Sequence, residues 1–132
     1  MLVMRFLMSL AFVTAVSPQA VPGSVGQAED RLGIASWYGG GERLNKHVAM
    51  GHRFDPEALE AAMWDVPLGS KVKITNLDNG KTIVVRITDR GPNRRFGNRI
   101  VDLTRGSFAK LAPLRQGLIR VRVEPLATAN KA

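Results

Sequence analysis

The chain contains no cysteine. No disulfide can staple it, no thiolate can serve as nucleophile, and neither a Cys-type zinc site nor a cysteine-linked lipid anchor is expected. Histidine is almost as scarce, with only His47 and His52. Aromatic residues make up 6% of the chain and do not interleave with basic ones as they do on an RNA-binding sheet. There is no long repeat, no low-complexity tract and no apolar run long enough to span a bilayer. Acidic residues are outnumbered, 11 against 19 Lys and Arg, for a formal net charge of +8. What remains, in 132 residues that are 45% hydrophobic, is enough for one small domain with one packed core.

The N-terminus differs from the rest. "MLVMRFLMSLAFVTAV" sets one Arg ahead of an apolar run of roughly ten residues, as in the middle of a secretory signal. "SPQAVPGSVGQAED" follows, in which "GQA" before Glu29 has small residues where a signal peptidase cuts. Residues 1–28 are therefore expected to be a cleaved leader, with an uncleaved N-terminal anchor as the alternative, residues 29–126 the working domain and residues 127–132 a short tail. The leader holds one of the 19 basic residues and no acid, so the exported part keeps 18 against 11, a net of +7. Export argues against nucleic acid as the partner. A basic groove in a cell envelope meets teichoic acids, lipopolysaccharide or glycan strands bearing lactyl carboxylates; a solvated basic face is the plainer alternative.

From Gly33 onward short apolar runs alternate with turn signals. "GIASWYG", "KVKITNL", "KTIVVRITD", "NRIVDL" and "GLIRVRVEPL" read as strands, the last alternating Ile119, Val121 and Val123 with Arg120, Arg122 and Glu124. "DNG" at residues 78–80 predicts a hairpin between the second and third. Two short helices are expected. One is capped by Asp55, with Pro56 in its first turn and Leu59, Ala62 and Met63 on one side; the other starts near Thr104 and stops before Pro113. Mixed short strands with one apolar face each predict a small closed barrel, because closure removes exposed edges.

"GIASWYGGG", "FDPEALEAA", "VPLGSKVKITNLDNGKTIVVRITDRGP" and "RIVDLT", in this order, resemble the rare lipoprotein A family of septal-ring lytic transglycosylases, from about Gly33 to Leu126. The resemblance implies a mainly β fold, a six-stranded double-psi β-barrel with one or two short helices. It also implies a peptidoglycan enzyme that cuts glycan strands freed of stem peptides, without water. An acidic group protonates the oxygen between N-acetylmuramic acid and N-acetylglucosamine, and the 6-hydroxyl of the same muramic acid closes a 1,6-anhydro ring. No metal or cofactor is implied, and a monomer is expected. The wall-binding repeat that many relatives carry after the barrel is not in this sequence.

The family's cleft combines a Glu in "GE.FD", a His at the end of the next short helix and an Asp in "DRGP". Here His52 in "GHRFD" and Met63 in "AAMW" occupy the first two positions, and Asp89 in "TDRGP" keeps the third. His52 can be read as a proton donor, as half of a metal site with His47, or as a polar residue lining a cleft that only binds. Asp89 is either an acid in its own right or a brace that accepts backbone N–H groups and pairs with Arg90. Glu42, in the Gly-rich loop after Tyr38, is another carboxylate within the cleft's reach, and Asp102 reads as framework. Trp37 and Tyr38 are consecutive and should point to opposite faces, one free to stack on a sugar ring. Arg90, Arg94, Arg95 and Arg99 could meet carboxylates, and Met63 lines the cleft or packs. Three readings stay open: an endolytic transglycosylase, a non-catalytic glycan-binding barrel, and a secreted barrel whose basic face meets another polyanion or a protein.

Overall fold

The structure, a computed structural model, describes residues 29–40, 46–95 and 97–127. The expected leader, Glu42 and the tail from residue 128 lie outside the described residues. Six strands close into a barrel: β1 (Arg31–Tyr38), β2 (Glu60–Ala62), β3 (Lys71–Asn76), β4 (Thr82–Asp89), β5 (Arg99–Thr104) and β6 (Ile119–Pro125). Their order around the ring is β1, β5, β2, β4, β3, β6. β1 runs parallel to β5 and β2 parallel to β4, while the other neighbours are antiparallel. One helix, α1 (Arg105–Leu111), follows β5, and a 3-10 turn (Leu114–Gln116) precedes β6.

Side-chain alternation decides which face turns inward. In β6, Ile119, Val121 and Val123 are buried and Arg120 and Arg122 exposed, and in β3 Val72 and Ile74 are buried between solvent-facing neighbours. With Ile87, Val101, Leu103 and Phe108 they form one core. The hairpin at residues 78–80 joins β3 to β4 as expected, with Thr75 paired to Thr82. Only Gly80 of the Asn-Gly pair has a positive φ, so the loop is longer than a two-residue turn. Asn76 and Asn79 close it, each amide donating to Leu111 O at the end of α1. α1 begins where the sequence placed it, with Thr104 Oγ1 accepting from Ser107 N.

The helix expected from Asp55 to Met63 is not there. Asp55 does cap, accepting from Glu57 N at 2.9 Å, and Ala58 N closes one turn on Asp55 O. Beyond it the carbonyls that would continue a helix are taken by distant chain. Pro56 O accepts from Gly106 N, Ala58 O from the Thr104 hydroxyl and Leu59 O from Arg86 N. The segment is drawn out into β2, wedged between β4 and β5, because tertiary pairing outweighs its helical propensity. This is the sixth strand that closes the barrel.

Candidate active site

Residues 46–54 fold into a tight hairpin. His47 and Arg53 form a bridge, Val48 N donates to His52 O, and Phe54 N donates to Lys46 O. Gly51, at φ +101°, makes the tip, a backbone state in which a side chain would be strained. The hairpin is tied to the end of β4: Met50 N donates to Thr88 O at 3.1 Å and Ala49 N to Asp89 Oδ1 at 3.3 Å. That anchorage delivers His52 to β2.

There its Nε2 lies 2.9 and 3.1 Å from the two carboxylate oxygens of Glu60. Thr88 Oγ1 donates to Glu60 Oε2 at 3.1 Å. The Glu60 side chain is only 17% exposed, against 41% for His52, so it is largely enclosed while its partner is half open to solvent. Glu60 was not among the residues singled out from sequence. On a strand beside β4 its side chain meets His52 and Thr88. The available signal was its position eight residues after His52, inside the segment where the family keeps its functional groups.

Tyr38 ends β1 beside this cluster. Its ring stacks on Phe54, centroids 5.2 Å apart and planes 27° from parallel. Its phenol oxygen is buried and, among the described residues, has no hydrogen-bond partner. Burial first, then the negative charges of Asp89, Asp102 and Glu60, push its pKa well above the ordinary value, so the phenol stays a donor. Trp37 points the other way, packing on Phe108 and donating through Nε1 to Leu114 O. The pair does face opposite sides, and it is Tyr38 that looks toward the carboxylates.

The remaining candidates separate. Asp89 Oδ1 accepts from Ala49 N and from its neighbour's backbone, Arg90 N, at 2.9 Å. The Arg90 guanidinium goes elsewhere, Nη1 donating to Met63 O at 2.9 Å and Val66 O at 2.5 Å, so it braces the 63–66 turn instead of reaching for a ligand. Met63 has no exposed surface and lies in the core, which corrects its assignment to the cleft wall. Its side chain fills the barrel. The arginines after Asp89 do not act as one patch. Arg94 covers Trp64 with its guanidinium 4.6 Å from the ring centre and pairs with Asp65, while Arg99 donates to Ser36 Oγ, which itself donates to Asp102. Arg31, Trp64, Arg94 and Arg99 line a separate groove of about 170 Å³. No group of three or more His, Asp or Glu among the described residues is disposed to hold a metal ion.

Residues 31–123 match the family model described as lytic transglycolase. A probable endolytic peptidoglycan transglycosylase RlpA of Nostoc sp. is 44% identical over 95 residues, 71% of this chain and 25% of its own length. The endolytic peptidoglycan transglycosylase RlpA of Neisseria meningitidis serogroup A is 40% identical over 102 residues, 77% of this chain and 41% of its own. The chain thus spans well under half the length of these relatives. Among solved structures, a Streptomyces papain inhibitor aligns over 75% of this chain and 96% of its own with a TM-score of 0.59 and 24% identity. An expansin of Clavibacter michiganensis, in complex with cellohexaose, aligns over 79% of this chain and 54% of its own with a TM-score of 0.58 and 16% identity. At these identities the likeness is one of barrel fold.

Proposed function

This chain belongs to the lytic transglycolase family, and we propose from that premise that it cuts peptidoglycan glycan strands in the cell envelope. The bond broken joins N-acetylmuramic acid to N-acetylglucosamine, and the product is a 1,6-anhydro end. One observation carries the reading: the Glu60 carboxyl, 17% exposed, is held beside the His52 imidazole and the Thr88 hydroxyl in the segment where the family keeps its functional groups. Cleavage without water needs one proton donor at the bridging oxygen and a donor-lined wall, not a second carboxylate across the bond. In this reading residues 1–28 direct export and residues 29–126 form the working barrel, acting as a monomer without metal or cofactor.

A second reading, a barrel that binds glycan and does not cut, is favoured by His52 and Met63 at two positions where the family's pattern has Glu and His. The expansin neighbour, whose matched part covers 54% of its chain, was solved in complex with cellohexaose. Product analysis separates the two. The full chain is incubated with glycan strands freed of stem peptides, and mass spectrometry looks for anhydro ends above a protein-free blank. Their formation supports the first reading. Their absence, together with retention of the protein on sacculi at high salt, leaves the second.

A further inference from the structure

We propose that Glu60 is the general acid of this protein, a carboxyl supplied from β2 in place of the one missing at position 52, and that His52 and Thr88 are positioning residues for it. The inference rests on the transglycosylase reading above. The family pattern calls for a carboxyl at position 52 and an imidazole at position 63; here position 52 bears the imidazole and position 63 a core methionine. The missing carboxyl stands three residues before Met63, within hydrogen-bond distance of that same imidazole. A carboxyl and an imidazole are thus still paired, with the carboxyl now on β2 and the imidazole on the hairpin.

Of the carboxylates around Tyr38, Glu60 is the one built for proton transfer. Asp89 Oδ1 accepts two backbone N–H groups, Ala49 N and Arg90 N, and holds the hairpin in place. Asp102 accepts from Ser36 Oγ, which in turn accepts from Arg99. Glu60 takes no backbone N–H through its side chain among the described residues. Its partners are a hydroxyl and an imidazole nitrogen, and the latter touches both oxygens, so a proton can pass between ring and carboxyl. Thr88 is fully buried and its hydroxyl holds Oε2, while the Glu60 side chain keeps 17% exposure.

The step balances without an added reactant. The Glu60 carboxyl gives its proton to the bridging oxygen as the bond from that oxygen to C1 of the muramic acid breaks. The bonding electron pair leaves with the oxygen, which becomes the 4-hydroxyl of the released N-acetylglucosamine. The 6-hydroxyl oxygen then bonds to C1, and its proton returns to the Glu60 carboxylate, restoring the acid.

The test uses the full chain and stem-peptide-free glycan strands, with anhydro ends counted by mass spectrometry and sacculus retention measured in parallel. Glu60→Gln should lose cleavage by about 100-fold or more, the range for a general acid, with retention unchanged. Adding His52→Glu to that variant should recover about tenfold or more of the loss, because a carboxyl returns at the family's position, which a merely structural Glu60 could not produce. Glu60→Asp, folded by circular dichroism, decides the matter should Glu60→Gln not fold. Wild-type rates in Glu60→Gln, or in Glu60→Asp with its carboxyl drawn back by a methylene, overturn the proposal while the transglycosylase reading stands. Cleavage by neither wild type nor any variant overturns that reading and the proposal with it.

Discussion

Phe54 lies stacked on Tyr38, 5.2 Å between ring centres, so the hairpin that carries His52 also seals the phenol at the end of β1. Phe54→Leu should remove the stack, worth about 0.5–1.5 kcal/mol beyond area burial, and let water reach the phenol. Two measurements check it. Denaturant unfolding should show a loss of that size, and the tyrosine should then ionise closer to its ordinary value.

Tyr38 is the chain's one tyrosine, so tyrosinate absorbance reports on it alone. Its folded pKa is raised, by burial and then by Asp89, Asp102 and Glu60. The folded protein should therefore give no tyrosinate signal as pH passes about 10, where an unfolded chain ionises. The linked stability is complete below that pH and is lost as pH rises toward the folded pKa, since only the unfolded state releases the proton. Tyr38→Phe should flatten this alkaline loss, and denaturant midpoints on both sides of pH 10 would reveal it. A normal phenol titration in folded protein would contradict the burial.

Met63→His, the change that would restore the family's second residue, should destabilise the chain without raising cleavage. Position 63 is enclosed by core, and an imidazole buried there without partners costs about 1–3 kcal/mol. Thermal melting and anhydro-end counts together test this. Undiminished stability with faster cleavage would mean that position 63 reaches the cleft.

Arg90→Met should cost about 1–3 kcal/mol, because Met63 O and Val66 O lose the guanidinium that satisfies both. Glycan affinity should fall no further than the unfolded fraction explains, since Arg90 braces the turn and does not face a ligand. Sacculus binding measured well below the melting temperature separates the two effects.

Gly106→Ala should destabilise by about 1–3 kcal/mol. Its Cβ would stand 2.7 Å from Glu57 O and 2.8 Å from Glu57 Cα, backbone that cannot swing aside, and relief would shift the strand that carries Glu60. Gly97→Ala is the control, with nothing within 4 Å of the new methyl, and should change stability by no more than about 0.5 kcal/mol.

How far the sequence could be read depended on where each residue's partners lie. β3, β4 and β6 were legible because alternation along one strand records which side chains face the core, and Val72, Ile74, Val121 and Val123 do so. α1 was legible because its cap, Thr104, and the donor it accepts from, Ser107 N, are three residues apart. Glu60 was hidden. "DPEALEAAM" carries the residues of a helix, and what makes it a strand are acceptor demands from Arg86, Thr104 and Gly106, dozens of residues away.

The amino-acid order alone determined that this is a cysteine-free, basic, mainly β chain with the motifs of one barrel family, because composition, alternation and motif spacing are local properties. Only the tertiary structure decided that Met63 is core, that Arg90 is spent on carbonyls, and that Glu60 meets His52. Those facts depend on which strand pairs with which and in what register, and a carboxylate's chemistry is set by neighbours that the closed barrel brings together.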